Sequence, residues 1–442
     1  MNSLKTVVIL TFVFVIQTTF FAQEFSLFEA QSYALENAEQ IKRSELDLES
    51  AKKQVVETRA MGLPQINAEG SFQQFINIPT QVVDGALMGQ PGTNVEFRMG
   101  QKYNANAGAT LNQLIFNGSY FIGLQVSKFY TEFVSTNIKK SQEDVLMNVT
   151  QAYQMALVSA RNKAFVDTLV GLTEELINKQ RALYEIGLIT EEEVQQTEFS
   201  LLSAQANLVA ANTAHQNALV MLKLTMAYPM DKEITLTEDL DQLLSDQERE
   251  LSGEIENNLE LELLKKQKVL SEYDLKNIRM TNYPQLVGFF NHQFNAYRSE
   301  FDFFKSNQSW FNQTVWGLKL TVPIFAGGER WAKIQKAKIA IKQDELMVQE
   351  FQRSLQAQEV QLNNELRSAR ANLKLQRQNI QLAKIIHENA LVKAEIGKEN
   401  SIMVTQKYNQ LVQAQSQYVS AMVEVFNKRL ELDKLYNELI RK

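Results

Sequence analysis

The chain has 442 residues, with 45 Lys and Arg against 51 Asp and Glu, and no cysteine. A net charge of −6 without a concentrated basic face argues against nucleic acid as a partner, and the lack of cysteine removes disulfides, thiolate metal sites, cysteine nucleophiles and a lipidated N-terminal cysteine together. The three histidines, His215, His292 and His387, have no ligand spacing, so neither a structural zinc nor any other cofactor is expected.

Lys5 followed by the nearly all-apolar run Thr6 to Phe21, with a small residue at Ala22, reads as a secretory signal peptide over residues 1–22. No later stretch is long and apolar enough for a helical membrane span. From Ser26 to Met61 apolar residues recur at helical spacing (Ala30, Tyr33, Ala34, Ala38, Ile41), with Ser26 and Glu29 set as a capping box and Gly62 and Pro64 as the stop. The period then changes from 3.6 to 2. Ile66, Ala68, Gly70 and Phe72 alternate with polar residues, and so do Tyr103, Ala105, Ala107, Ala109 and Leu111. Runs of about ten residues with one apolar and one polar face fit tilted membrane strands, or half-buried strands of a soluble sheet. Between them Ile76 to Lys102, with Pro79, Gly85, Gly89, Pro91 and Gly92, reads as an exposed loop.

Ser119 to Ile186 then runs without a proline and predicts one helix of about 100 Å. One stripe of it carries Ala152, Met155, Ala156 and Ser159, with Gln151 and Gln154 off that stripe. Gly187 ends it, and Thr190 with Glu193 forms a capping box for a helix over Glu191 to Ala227. Residues 231–252 read as a short charged linker with a brief strand at Ile234–Leu236. The scheme then repeats: helix over Glu254 to Met280, strands near 285–297 and 314–323 around an aromatic loop, a second rod from Glu329 to Ile396, Gly397, and a last helix from about Ser401 to Leu439. Pro64 and Pro284 lie 220 residues apart, Gly187 and Gly397 lie 210 apart, and Glu36-Asn37 corresponds to Glu256-Asn257. Matches at corresponding changes of period indicate a duplicated unit, 23–230 and 253–442, joined by the linker. Four strands per chain, near 64–75, 103–115, 285–297 and 314–323, cannot close a barrel, so a membrane role requires several copies.

The duplicated unit, Ile115-Phe116-Asn117-Gly118 and Ile324-Phe325-Ala326-Gly327-Gly328 where strand turns into rod, and Tyr184-Glu185-Ile186-Gly187-Leu188 and Glu395-Ile396-Gly397 at the helix turns resemble the TolC-like outer-membrane efflux proteins. The resemblance implies a mostly α fold with membrane β: a homotrimeric, twelve-stranded outer-membrane β-barrel continued by a long periplasmic α-helical barrel. It implies a passive exit duct in a tripartite efflux system, with outer-membrane lipid, a periplasmic adaptor and an inner-membrane pump of RND or ABC class as partners. A channel for type I protein secretion and, less so, a periplasmic coiled-coil scaffold are the alternatives. No enzymatic activity is expected.

The resemblance also implies that Gly187 and Gly397 mark the periplasmic tip, with Arg181, Leu188 and Lys393 beside them as adaptor-docking residues. Arg181 and Lys393 equally suit a helix C-terminus on charge alone. Family members often carry acidic residues a turn beyond the second glycine. Here Met403 and Gln406 stand at those positions, and the acids nearer the turns are Glu395 and Glu399 in the second half and Glu191, Glu192 and Glu193 in the first, with Glu191, Glu193 and Glu399 the entrance-lining candidates beside Met403 and Gln406. Acids at a helix start are favourable without any such role.

Overall fold

The computed structural model describes residues 23–84, 86, 89, 91–246 and 253–440. The expected signal peptide and part of the expected linker lie outside the described residues. The chain divides into two units. Of the described residues, those within 23–44, 138–259 and 352–440 form a helical unit, and those within 45–137 and 260–351 form a sheet unit. Among the described residues eight strands and eight α-helices follow in chain order: β1 (Gln23–Phe25), α1 (Leu27–Asn37), α2 (Glu39–Ala60), β2 (Gln65–Gln74), β3 (Thr80–Asp84), β4 (Asn94–Arg98), β5 (Tyr103–Phe116), α3 (Gly118–Glu185), α4 (Glu191–Met226), β6 (Ile234–Leu236), α5 (Leu240–Asp246), α6 (Leu259–Met280), β7 (Gln285–Arg298), β8 (Phe311–Thr321), α7 (Glu329–Glu395) and α8 (Ser401–Leu435).

The duplication is visible in the lengths. α2 and α6 have 22 residues each, α3 and α7 have 68 and 67, and α4 and α8 have 36 and 35. It is visible in the backbone too. The helix expected from Ser26 to Met61 is in fact two, broken at Ala38 (φ −60°, ψ 126°), and the helix expected from Glu254 starts only after Asn258 (φ −60°, ψ 124°). These two residues are 220 apart, the same offset as the two prolines, so the break belongs to the repeated unit. Neither position is a glycine or proline, and nothing in local propensity marks it.

In the sheet unit four strands pair antiparallel in the order β2-β5-β7-β8. The two hairpins, one from each half, join through β5 and β7. Register places Ile66 opposite Leu111, Leu111 opposite Phe290, and Phe290 opposite Trp316. Since side chains alternate along a strand, one face carries Ile66, Phe72, Leu111, Phe290, Phe294, Trp316, Leu318 and Leu320. The other carries Asn67, Glu69, Asn106, Thr110, Asn291, Gln293 and Gln313, laced by Asn291 Nδ2 to Thr110 Oγ1 (2.6 Å) and Gln293 Nε2 to Gln313 Oε1 (2.8 Å). The apolar face is uncovered: Trp316 is 76% exposed. β2 and β8 each pair on one side only. The third and fourth strands are Gln285–Arg298 and Phe311–Thr321, so the last begins three residues earlier than expected. The segment expected as a loop from Ile76 to Lys102 contains a separate hairpin, β3 with β4, pairing Thr80 with Arg98 through Asp84 with Asn94. Its strands have five residues each, too short for alternation to stand out among the glycines and prolines. At the foot of β5, Asn117 Oδ1 accepts the Tyr120 N–H (3.2 Å), capping α3 where strand becomes helix.

The helical unit has its core where α1, α3, α4 and α8 meet, around Ala30, Ala34, Val149, Tyr153, Ala156, Leu222, Met226 and Phe426. Small residues on α1 and α3 let helices approach closely here. Over residues 149–158 α3 is buried on most of its circumference: Gln154, expected off the packed stripe, is buried, and Met155, expected on it, is exposed. The linker is more ordered than its charge suggests. β6 pairs in parallel with β1, Gln23 to Ile234, and α5 follows. Tyr153 Oη donates to the Phe25 carbonyl (2.9 Å), fastening β1 to α3. The final helix stops at Leu435 rather than Leu439, turned by Asn437 at φ 56°. Among the described residues no helix is long and apolar enough to cross a membrane.

Candidate functional site: the paired helix turns

Both rods end in the same turn. At Gly187 (φ 77°) the glycine N–H bonds to the Tyr184 carbonyl and the Leu188 N–H to the Leu183 carbonyl, each at 2.9 Å. At Gly397 (φ 69°) the corresponding bonds reach Ala394 (3.0 Å) and, from Lys398, Lys393 (2.8 Å). This is the Schellman pattern, in which a left-handed residue satisfies the last carbonyls of a helix. A Cβ on either glycine would touch nothing within 4 Å. Glycine is therefore required by the backbone angle and not by crowding.

The N-cap of the next helix stands three residues later in each case. Thr190 Oγ1 accepts the Glu193 N–H and Glu193 Oε2 accepts the Thr190 N–H (3.0 Å), the full capping box that the sequence predicts. In the second half Asn400 Oδ1 accepts the Met403 N–H (2.9 Å), but Met403 cannot return the bond. Glu193 is thus engaged in a cap. Glu191 is exposed, with Oε1 accepting from Gln195 Nε2 (3.3 Å), and Glu399 is half-buried beside the second turn. Met403 and Gln406 are both exposed on the first turns of α8.

Four helix ends are tied together behind the turns. Leu176, Leu391, Ala394 and Val404 form a small apolar core. Lys179 Nζ reaches Glu395 (2.8 Å) and Glu175 (2.7 Å), and these carboxylates hold its pKa above the ordinary lysine value. Gln180 Nε2 donates to Ser401 Oγ (3.1 Å) while its Oε1 accepts from Thr197 Oγ1, so one buried side chain bridges α3, α4 and α8. Arg181 lies 3.6 Å from Glu198 on α4, both exposed. Lys393 is exposed in the last turn of α7. His387 is buried against Tyr408 (6.0 Å between rings), and burial depresses its pKa. It lines a cavity with room for one water, together with Thr173, Ser200, Ser401 and Thr405.

The sequence located the turns and caps and missed this polar interior. Gln180 has no pattern to announce it. His387 does carry a signal, since it shares a helical stripe with Leu391 and Ala394, the spacing of a packed residue.

The turns also expose apolar side chains among their charged ones. Ile186 is 69% exposed and Leu188 68%, and Ile396 and Ile402 are exposed as well. The equivalent of Leu188 is Lys398.

The sequence matches the family described as outer membrane efflux protein over residues 31–227 and 254–438, one match to each repeat. The chain belongs to that family. As a member it is an outer-membrane efflux channel protein with a periplasmic extension and not an enzyme. The fold agrees with solved outer-membrane proteins of low sequence identity. The Campylobacter jejuni CmeC outer membrane channel is 16% identical, with a TM-score of 0.70 over 93% of this chain and 85% of that one. VceC from Vibrio cholerae is 13% identical, at 0.63 over 94% and 95%. The open state of the Neisseria gonorrhoeae MtrE outer membrane channel is 14% identical, at 0.66 over 93% and 88%. A search of curated protein sequences gave no match.

Proposed function

We propose that three copies of this efflux protein join their sheets into one twelve-stranded barrel and form a passive exit duct, supplied by an inner-membrane pump through a periplasmic adaptor. The observation that carries this reading is the sheet. It has one uncovered apolar face, one hydrogen-bonded polar face and an unpaired edge on each side. An open edge in lipid leaves backbone groups unsatisfied at several kcal/mol each by rough estimate, so β2 of one copy must meet β8 of another. The apolar face then meets lipid and the polar face lines a water-filled lumen. CmeC and MtrE, which share this fold, are outer membrane channels, and that supports the same role.

The turns at Gly187 and Gly397 are the proposed adaptor-docking tips, with Leu188, Arg181 and Lys393 around them. Their exposed isoleucines and leucine offer apolar surface that a partner would cover. The pump, of RND or ABC class, drives the substrate; the duct needs only a wet passage. Glu191 and Glu399 are the acids left to give the entrance a cation preference, with Met403 and Gln406 in place of further carboxylates. The test is single-channel recording in planar bilayers. A stepwise conductance is expected, and Glu399→Lys should lower its cation preference. Recovery of the full-length protein as a soluble monomer with no conductance would defeat the proposal. Unchanged selectivity in the variant would remove Glu399 from the entrance.

A further inference from the structure

The connection between β7 and β8, residues 299–310, is a built loop. Arg298 at the end of β7 is only 6% exposed. Its Nη1 donates to the Tyr297 carbonyl (3.0 Å) and its Nη2 to the Ser309 carbonyl (2.7 Å), so one side chain ties both ends of the loop. Its Nε faces Asp302 Oδ1 across 3.5 Å, and Asp302 Oδ2 accepts from Gln308 Nε2 (2.5 Å). An enclosed ion pair needs its other polar atoms occupied: Arg298 Nη1 and Nη2 and Asp302 Oδ2 are hydrogen-bonded, while Nε and Oδ1 have only each other, without a hydrogen bond.

The strand register says which way the loop folds. Tyr103 stands opposite Arg298 and next but one to the partner of Phe72, so all three lie on the apolar face. The Phe301 ring sits 5.7 Å from Phe72 and 6.0 Å from Tyr103. Phe303 sits 5.6 Å from Phe72, with the Arg298 guanidinium 5.9 Å over its ring. The loop therefore leans back across β5 to β2 over the apolar face and leaves the polar face clear. At its crest Phe304 is 93% exposed, and Lys305 beside it is exposed too. Lys102 lies 5.3 Å over the Tyr103 ring.

We infer that this loop is a membrane clasp, which rests in the headgroup boundary of the bilayer and fixes the depth of the barrel. The inference rests on the proposed lipid contact of the apolar face, with which the clasp is continuous. Aromatic rings favour the zone between acyl chains and water, and this cluster stands at the ends of the strands, opposite the junctions with α3 and α7. Lys102 and Lys305 can lay their stems along the rings and hold their ammonium groups among phosphates. Folded outward, the clasp keeps Phe301 and Phe304 off the mouth of the lumen.

The chain has no cysteine, so single labelling sites can be introduced cleanly. Phe304→Cys, Lys305→Cys and Leu318→Cys full-length proteins would each carry an environment-sensitive fluorophore and be reconstituted in phosphatidylcholine vesicles, with and without phosphatidylglycerol. Quenching would be measured with lipids spin-labelled at the headgroup or deep in the acyl chain, and with aqueous iodide. The expected result is deep quenching for position 318 and headgroup quenching for 304 and 305. Adding Arg298→Gln should raise iodide quenching at 305 severalfold. Iodide quenching alone at 304 and 305, with 318 still lipid-quenched, would overturn the clasp and leave the barrel reading intact. Iodide quenching at all three would overturn both. No change with Arg298→Gln would remove Arg298 as the fastening. The Lys305 label reports the loop with every aromatic ring in place, so failure of the Phe304 variant to assemble would not decide the matter.

Discussion

Tyr153 shows how one hydroxyl can fasten an element. Its ring is fully buried, and burial together with the nearby Glu238 carboxylate pushes its pKa up to about 12, so it remains a donor. Tyr153→Phe keeps the ring and removes one of two hydrogen bonds to the Phe25 carbonyl, which still accepts from the Thr237 N–H (3.2 Å). A loss of about 0.5–1.5 kcal/mol is expected, read as a lower thermal midpoint and earlier proteolysis at β1. His387 gives a pH dependence with a definite sign. Burial lowers its folded pKa, so the unfolded chain holds more protons below the ordinary histidine value of about 6.5. The contribution is complete above that pH and is lost as pH falls from there toward the folded value. His387→Leu should flatten the fall in thermal midpoint between neutral pH and the onset of carboxylate titration. What remains should be the share of His215, whose pKa is lowered by burial and by Lys163. An unaltered pH profile would show that His387 takes up its proton without disturbing the helix ends. Neither role was legible in the sequence: Tyr153 is one aromatic among many, and the stripe that His387 shares with Leu391 and Ala394 marks a packed residue without marking a pH response.

At the scale of elements the sequence spoke most clearly through breaks and caps. Gly187, Gly397 and Thr190 marked turns and a cap that the backbone confirms, while the Asn400 cap went unread. Two more turns of the same kind went unread. Ala227 (φ 55°) and Asn437 (φ 56°) also send paired N–H groups back to the preceding helix, and they too are 210 residues apart. Only one is a residue that tolerates the left-handed region well, so composition could not reveal the pair. Ala227 shows that the fold bears alanine in this conformation. Gly187→Ala should accordingly cost about 1–2 kcal/mol and still give assembled protein. Gly187→Asn should cost less, since asparagine visits this region readily. If the tip is a docking surface, Gly187→Asn will weaken capture of the adaptor in crosslinked cells with little change in thermal midpoint. Equal losses of stability and capture would instead mean that the glycine only shapes the turn.

For the whole molecule, the deciding features were periodicity and duplication, and both could be read before any coordinates. Alternation in Ile66–Phe72 and Tyr103–Leu111 gave the two faces of the sheet, and the repeat gave four strands. The brief strand Ile234–Leu236 was read, whereas its partner β1, the helix α5 and the β3–β4 hairpin escaped: strands of three to five residues are too short for alternation to stand out, and β1 is fixed by a partner far away in sequence. Assembly gives the sheet its clearest test. Leu318→Arg places a charge on the apolar face and should cost about 2–4 kcal/mol if that position lies near the bilayer midplane, seen as loss of assembled protein from the outer-membrane fraction. Gln293→Arg, on the opposite face, should assemble normally and change conductance.

The duplicated turns also have a consequence for counting. Each chain presents two tips with one backbone geometry and two chemistries, Leu188 at the first and Lys398 at the second. A partner that reads only shape has two equivalent seats per chain, whereas one that reads charge has a single seat. The stoichiometry of a saturated complex would therefore report which property the partner recognises, without a structure of the complex.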